Sequence, residues 1–100
     1  MILITGRGRV HADQRDDALA AAAAMSAAST AEPGCLEYSF WVSPDDPNLI
    51  GLVERWEDDD ALTAHMSQPH MATFITAIGP ALDGGMDVVR HDVEKSGPLF

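Results

Sequence analysis

The stretch LEYSFWVSPDDPNLIGLVERWE (residues 36–57) decides the fold. In its first part Leu36, Tyr38, Phe40 and Val42 alternate with Glu37, Ser39 and Trp41. That period of two belongs to a strand with one buried face. SPDDPN (43–48) is turn chemistry, and Leu49 to Glu57 reads as a second strand, so the pair forms a hairpin with a longish loop. Within 49–57, Ile50, Leu52 and Trp56 point one way while Leu49 and Val53 point the other. Both faces of this strand carry apolar groups.

Upstream of the hairpin, Ala18 to Met25 is an alanine-rich run of high helix propensity, able to lie close to a sheet. Asp13 is the expected N-cap, with Asp16 and Asp17 favourable in the first turn. Pro33 and Gly34 end this helix. Residues 2–10 are a strand interrupted by Gly6 and Gly8. Downstream, Asp58, Asp59 and Asp60 open a short helix, and Pro69 suits the first position of another. Met71, Phe74, Ile75 and Ile78 then fall at the spacing of a buried helical face, and Gly79–Pro80 is the expected stop. Met86 to Val93 alternates as a last strand. The order is βαββαβ, an α+β ferredoxin-like sandwich with a four-stranded antiparallel sheet. Residues 1–95 make the domain and SGPLF (96–100) a tail. One helical layer covers one sheet face, so the open face is expected to meet an identical chain in a homodimer.

The chain of 100 residues has 16 acidic against 6 basic side chains, a net charge of −10. Such a body repels nucleic-acid phosphates and anionic membrane surfaces, so neither is an expected partner. A single cysteine and no long apolar run point to a soluble cytoplasmic protein.

His65 is the titratable residue of most interest. With Leu62 and Met66 it shares a helix face that should look inward, near Trp56 and Tyr38. There it would orient a phenolic substrate or move its proton, and a hydrogen-bonded structural histidine is the competing account. Arg7 and Arg9 lie on one strand face with Thr5, placed either to hold an anionic oxygen or to pair with surface carboxylates. Glu54 shares the face of Trp56, with an arginine as its default partner. Cys35 lies between Glu32 and Glu37 without a nearby cation, which disfavours a thiolate and suits a small buried filler. His65 and His70 are five apart across a helix break, a spacing that argues against a metal site. No phosphate-binding or dinucleotide motif is present, and no cofactor is expected.

The segments EPGCLEYSF (32–40), DDPNLIGLVERWEDDDAL (45–62), AHMSQPHMATF (64–74) and GRGRVHADQRDDAL (6–19) together resemble the antibiotic biosynthesis monooxygenase (ABM) family of the dimeric α/β-barrel superfamily. The resemblance implies a dimer built sheet to sheet and a pocket between sheet and helices. It also implies cofactor-independent oxidation of a small aromatic, anthrone or quinol substrate by O₂. On that reading His65, Trp56 and Arg7 are the catalytic candidates, and Tyr38, Phe74 and Leu62 contact substrate. The haem-degrading branch has an asparagine on the first strand, a tryptophan on the short helix and an axial histidine. Here residues 1–11 lack asparagine, His65 stands at the tryptophan position and Ile75 at the axial one. A non-catalytic dimeric binding protein for a hydrophobic metabolite and an isomerase relative are the alternatives.

Overall fold

A computed structural model describes residues 1–100. The elements are β1 (Ile2–Val10), α1 (Arg15–Thr30), β2 (Cys35–Val42), β3 (Leu49–Trp56), α2 (Asp59–Met66), α3 (Pro69–Ile78) and β4 (Leu82–Asp92). Single 3₁₀ turns occupy Ala12–Gln14 and Gly79–Ala81. The sheet has the order β2-β3-β1-β4 with every neighbouring pair antiparallel. This is the expected ferredoxin-like βαββαβ arrangement, with the hairpin of residues 36–57 as its β2–β3 half. No helix is long and apolar enough to cross a membrane.

Sheet alternation sets the core. Along β3, Ile50, Leu52, Glu54 and Trp56 are buried on the helical side while Leu49, Gly51, Val53 and Arg55 are half-exposed on the other. Helix α1 answers with Ala18, Ala22, Met25 and Ser29, one stripe of mostly small residues. The core comprises thirteen buried hydrophobic residues, Trp56 the bulkiest of them and fully enclosed.

Beyond a one-residue shortening at the C-terminal ends of β3 and β4, three boundaries differ from the sequence reading. Asp13 caps nothing; it lies in the 3₁₀ turn, and α1 begins at Arg15 with Gln14 at the N-cap. Gly79 keeps helical dihedrals (φ −50°), so α3 tightens into a 3₁₀ turn instead of stopping there. β4 begins at Leu82, earlier than Met86, because Gly84 and Gly85 take φ of 95° and 85° and carry the strand through a register shift opposite Gly8 and Val10. Residues 93–100 form no helix or strand, and Leu99 and Phe100 are exposed.

Gly34 has a specific role in placing the helices. Its φ is +82°, and a Cβ there would stand 2.6 Å from the Cβ of Ala61 on α2. The α1–β2 turn and α2 therefore approach more closely than any side chain at position 34 allows. That contact brings Glu32, two residues upstream, within reach of the histidines on α2 and α3.

Candidate functional site

A cleft of about 520 Å³ opens on the helical side of the sheet, a size that accommodates a drug-sized ligand. Ile4, Leu52, Tyr38 and Glu54 form its floor. Leu62, His65 and Met66 of α2 and Met71, Phe74, Ile75 and Ile78 of α3 form one wall, and Met86, Val88 and Arg90 of β4 the other. Met66, Ile75 and Val88 are each more than half exposed because they line this trough, which α1 leaves uncovered.

Polar groups are few and concentrated at one end. His65 is 1% exposed, and its Nδ1 lies 2.7 Å from Glu32 Oε2. Beside an acceptor-only carboxylate Nδ1 is the donor, and in that tautomer Nε2 keeps its lone pair. Nε2 stands 4.0 Å from Glu54 Oε1, too far for a hydrogen bond. Glu54 Oε1 instead accepts from Trp56 Nε1 at 2.9 Å. The Trp56 ring lies 4.6 Å from the His65 ring, centroid to centroid, and Tyr38 lies 5.4 Å from it on the cleft floor. His70 Nε2 meets the same Glu32 oxygen at 2.8 Å.

Burial governs the ionisation of this end. It pushes the Glu54 carboxyl above the usual carboxylate range, against the opposing pull of the Trp56 hydrogen bond and of His65. Burial likewise drives the Tyr38 phenol well above its ordinary value, with Glu54 and Glu32 adding to it. Cys35 is also raised, first by burial and then by Glu32 and Glu54, and its Sγ donates weakly to the Glu37 carbonyl. It is no thiolate nucleophile.

The raised Glu54 gives a signed expectation. The folded chain holds this proton to a higher pH than the unfolded chain, so ionising Glu54 removes stability as pH rises from the unfolded value through the folded one. Glu54→Gln keeps an acceptor for Trp56 Nε1 and cannot ionise. Its melting temperature relative to the parent is predicted to rise as pH increases above the unfolded glutamate value of about 4.3. A difference that stays flat above that value would show that Glu54 ionises normally.

The structure gathers His65, Tyr38, Leu62 and Phe74 around the cleft as the sequence suggests. Trp56 does not reach the cleft; it stands behind His65 and Glu54 with no exposed surface. Arg7 is not brought to the site. Odd-numbered residues of β1 face away from the helices, so Arg7 is exposed on the other side of the sheet, near Trp41 and Leu49. The cation at the cleft is Arg90, held by Asp59 and Asp92. Glu54 has no arginine partner; Arg55 takes Glu37 and Arg9 takes Asp46. Glu32 was legible only as a neighbour of Cys35. Its link to His65 spans 33 positions, and the Glu-Pro-Gly turn was the sole signal for it.

Comparison with known proteins bears on this geometry. The family described as antibiotic biosynthesis monooxygenase matches residues 1–77. YcnE of Bacillus subtilis (strain 168), provisionally named a monooxygenase, is 25% identical over 95 residues, which is 95% of this chain and 100% of that protein. Among solved structures, Rv0793 from Mycobacterium tuberculosis superposes with a TM-score of 0.89 at 25% identity, covering 97% of this chain and 98% of that one. A provisionally assigned antibiotic biosynthesis monooxygenase from Deinococcus radiodurans reaches a TM-score of 0.92 over 100% and 99% of the two chains. Its 17% identity makes it a likeness of fold alone.

Proposed function

The chain belongs to the antibiotic biosynthesis monooxygenase family, and from that membership, which supports a monooxygenase-type oxidoreductase role, we propose that it oxidises a small aromatic, anthrone or quinol substrate with O₂ and without a cofactor. The observation that carries the proposal is the buried Glu32–His65 pair at the polar end of an otherwise apolar cleft. A flat apolar substrate fits between Phe74, Leu62 and Met86, with its acidic position toward His65 Nε2. Glu32 fixes the ring tautomer and stabilises the imidazolium that forms when Nε2 takes the proton. Tyr38, its phenol held neutral, donates to the developing oxyanion.

For an anthrone the balance closes simply. His65 removes a proton from the CH₂ carbon, the carbanion reduces O₂, and a carbon–oxygen bond forms to give a hydroperoxide. Loss of water from it leaves a ketone, so CH₂ and O₂ become C=O and H₂O. The test is oxygen uptake by chelator-treated protein with a panel of anthrones and hydroquinones. Uptake above the buffer rate with at least one compound is expected. Binding without uptake would instead identify a carrier of hydrophobic metabolites.

We place a second copy of the chain on the open sheet face. Trp41 is 62% exposed there and Val89 45%, and no helix covers either. Leu99 and Phe100 of the tail are also exposed and would be available to pack on that second copy. Arg7 would then serve the interface and not the cleft. Light scattering at micromolar concentration is expected to give twice the 10.7 kDa chain mass. A clean monomer would contradict the pairing.

A further inference from the structure

We propose that Glu32, His65 and His70 form a binding site for a divalent transition-metal ion of the zinc class. Their donor atoms, Glu32 Oε2, His65 Nδ1 and His70 Nε2, all lie within 4.8 Å of one another. Two imidazoles and one carboxylate are a borderline donor set, which suits zinc and its neighbours and fits magnesium or calcium poorly. Three protein ligands leave a fourth position open.

The site is built from three separate parts of the fold. Glu32 comes from the α1–β2 turn, His65 from α2 and His70 from the first turn of α3. The side chains of Glu32 and His65 are 8% and 2% exposed, and that of His70 is 24% exposed, so the ion has a route in past His70. Without an ion, one carboxylate oxygen serves two ring N–H groups at 2.7 and 2.8 Å. An ion replaces both of those protons, and each ring moves its proton to the far nitrogen. For His65 the far nitrogen is Nε2, which then becomes a donor facing Glu54 Oε1, now 4.0 Å away. Glu54 is itself fixed by Trp56 Nε1. A ligating histidine whose second nitrogen donates to a carboxylate is the usual outer arrangement of a metal site. An occupied site leaves Nε2 protonated, so the ion and a substrate proton compete for the same ring.

The experiment uses the untagged full chain, with Zn²⁺ as the probe and Mg²⁺ as the control. Calorimetry is expected to show one saturable Zn²⁺ per chain and none for Mg²⁺. Histidine ring NMR resonances of His65 and His70 should shift on adding one equivalent, while those of His11 and His91 stay in place. His70→Ala should weaken Zn²⁺ by at least about 10–100-fold, the scale seen even for losing an outer partner, and His70→Gln serves if the alanine variant does not fold. Shifts at His11 or His91 alone, equal binding of Mg²⁺, or unchanged affinity in the His70 variants would each overturn the site. None of these readouts depends on oxygenase activity.

Discussion

Replacing His65 with alanine is expected to lower oxygen-dependent turnover by about 10²–10⁴-fold, the usual contribution of a positioned acid–base group. That loss corresponds to roughly 3–5 kcal/mol of transition-state stabilisation. The expectation follows from geometry: His65 is the residue whose neutral ring has a lone pair near the cleft while a buried carboxylate holds its other nitrogen. Removing the ring also leaves Glu32 with only His70 as partner, and losing one hydrogen bond to a charged group costs about 1.5–3 kcal/mol. Turnover must therefore be compared below the melting temperature of the variant. His65→Gln supplies the second readout, since an amide can donate to Glu32 but cannot accept a proton at neutral pH. Both variants should lose kcat and still bind the apolar part of the substrate. Equal turnover in all three proteins would make His65 a structural histidine.

Trp56→Ala is expected to destabilise the fold by about 3–5 kcal/mol, the range for deleting a buried aromatic. The ring has no exposed surface, and its Nε1–H is the donor that satisfies the buried Glu54. Against a typical total of about 5–15 kcal/mol, a loss of that size brings a chain of this length near its unfolding threshold. Urea unfolding by circular dichroism measures it. Trp41→Ala is the matched control, because Trp41 is 62% exposed on the open sheet face. A surface change away from special features stays within about 0.5 kcal/mol, unless a second chain covers Trp41, when the loss depends on protein concentration. A Trp56→Ala cost below about 1 kcal/mol would contradict the packing described here.

The fold was legible because alternation along 36–57 and the helical spacing of Met71, Phe74, Ile75 and Ile78 report local geometry. Boundaries failed where backbone chemistry overrode the pattern. The alternation that located the last strand begins at Met86, and Gly84 and Gly85 carry the strand back to Leu82 through a register shift that alternation does not report. The site was half legible. His65, Tyr38, Leu62 and Phe74 share inward faces that periodicity locates, and all four line the cleft. Arg7 lies outside it because a strand face, once assigned, says nothing about which side the helices take. The Glu32–His65–His70 cluster was hidden for another reason. Five-residue spacing across a helix break argued against a shared ligand site, and the three residues meet where Gly34 lets α2 close on the α1–β2 turn. The acidic neighbourhood of Cys35 was read correctly in direction, though burial is the larger cause of its raised thiol.

The central claim is that the cleft removes a proton from its substrate through His65, and the anaerobic absorption spectrum of a bound anthrone tests it most directly. Without O₂ the anion accumulates and is visible by its long-wavelength band. The protein is predicted to give that band at a pH where the free anthrone is neutral, and His65→Gln to bind the anthrone without it. A bound anthrone that stays neutral on the unaltered protein, or an equal anion band on both proteins, would contradict the account.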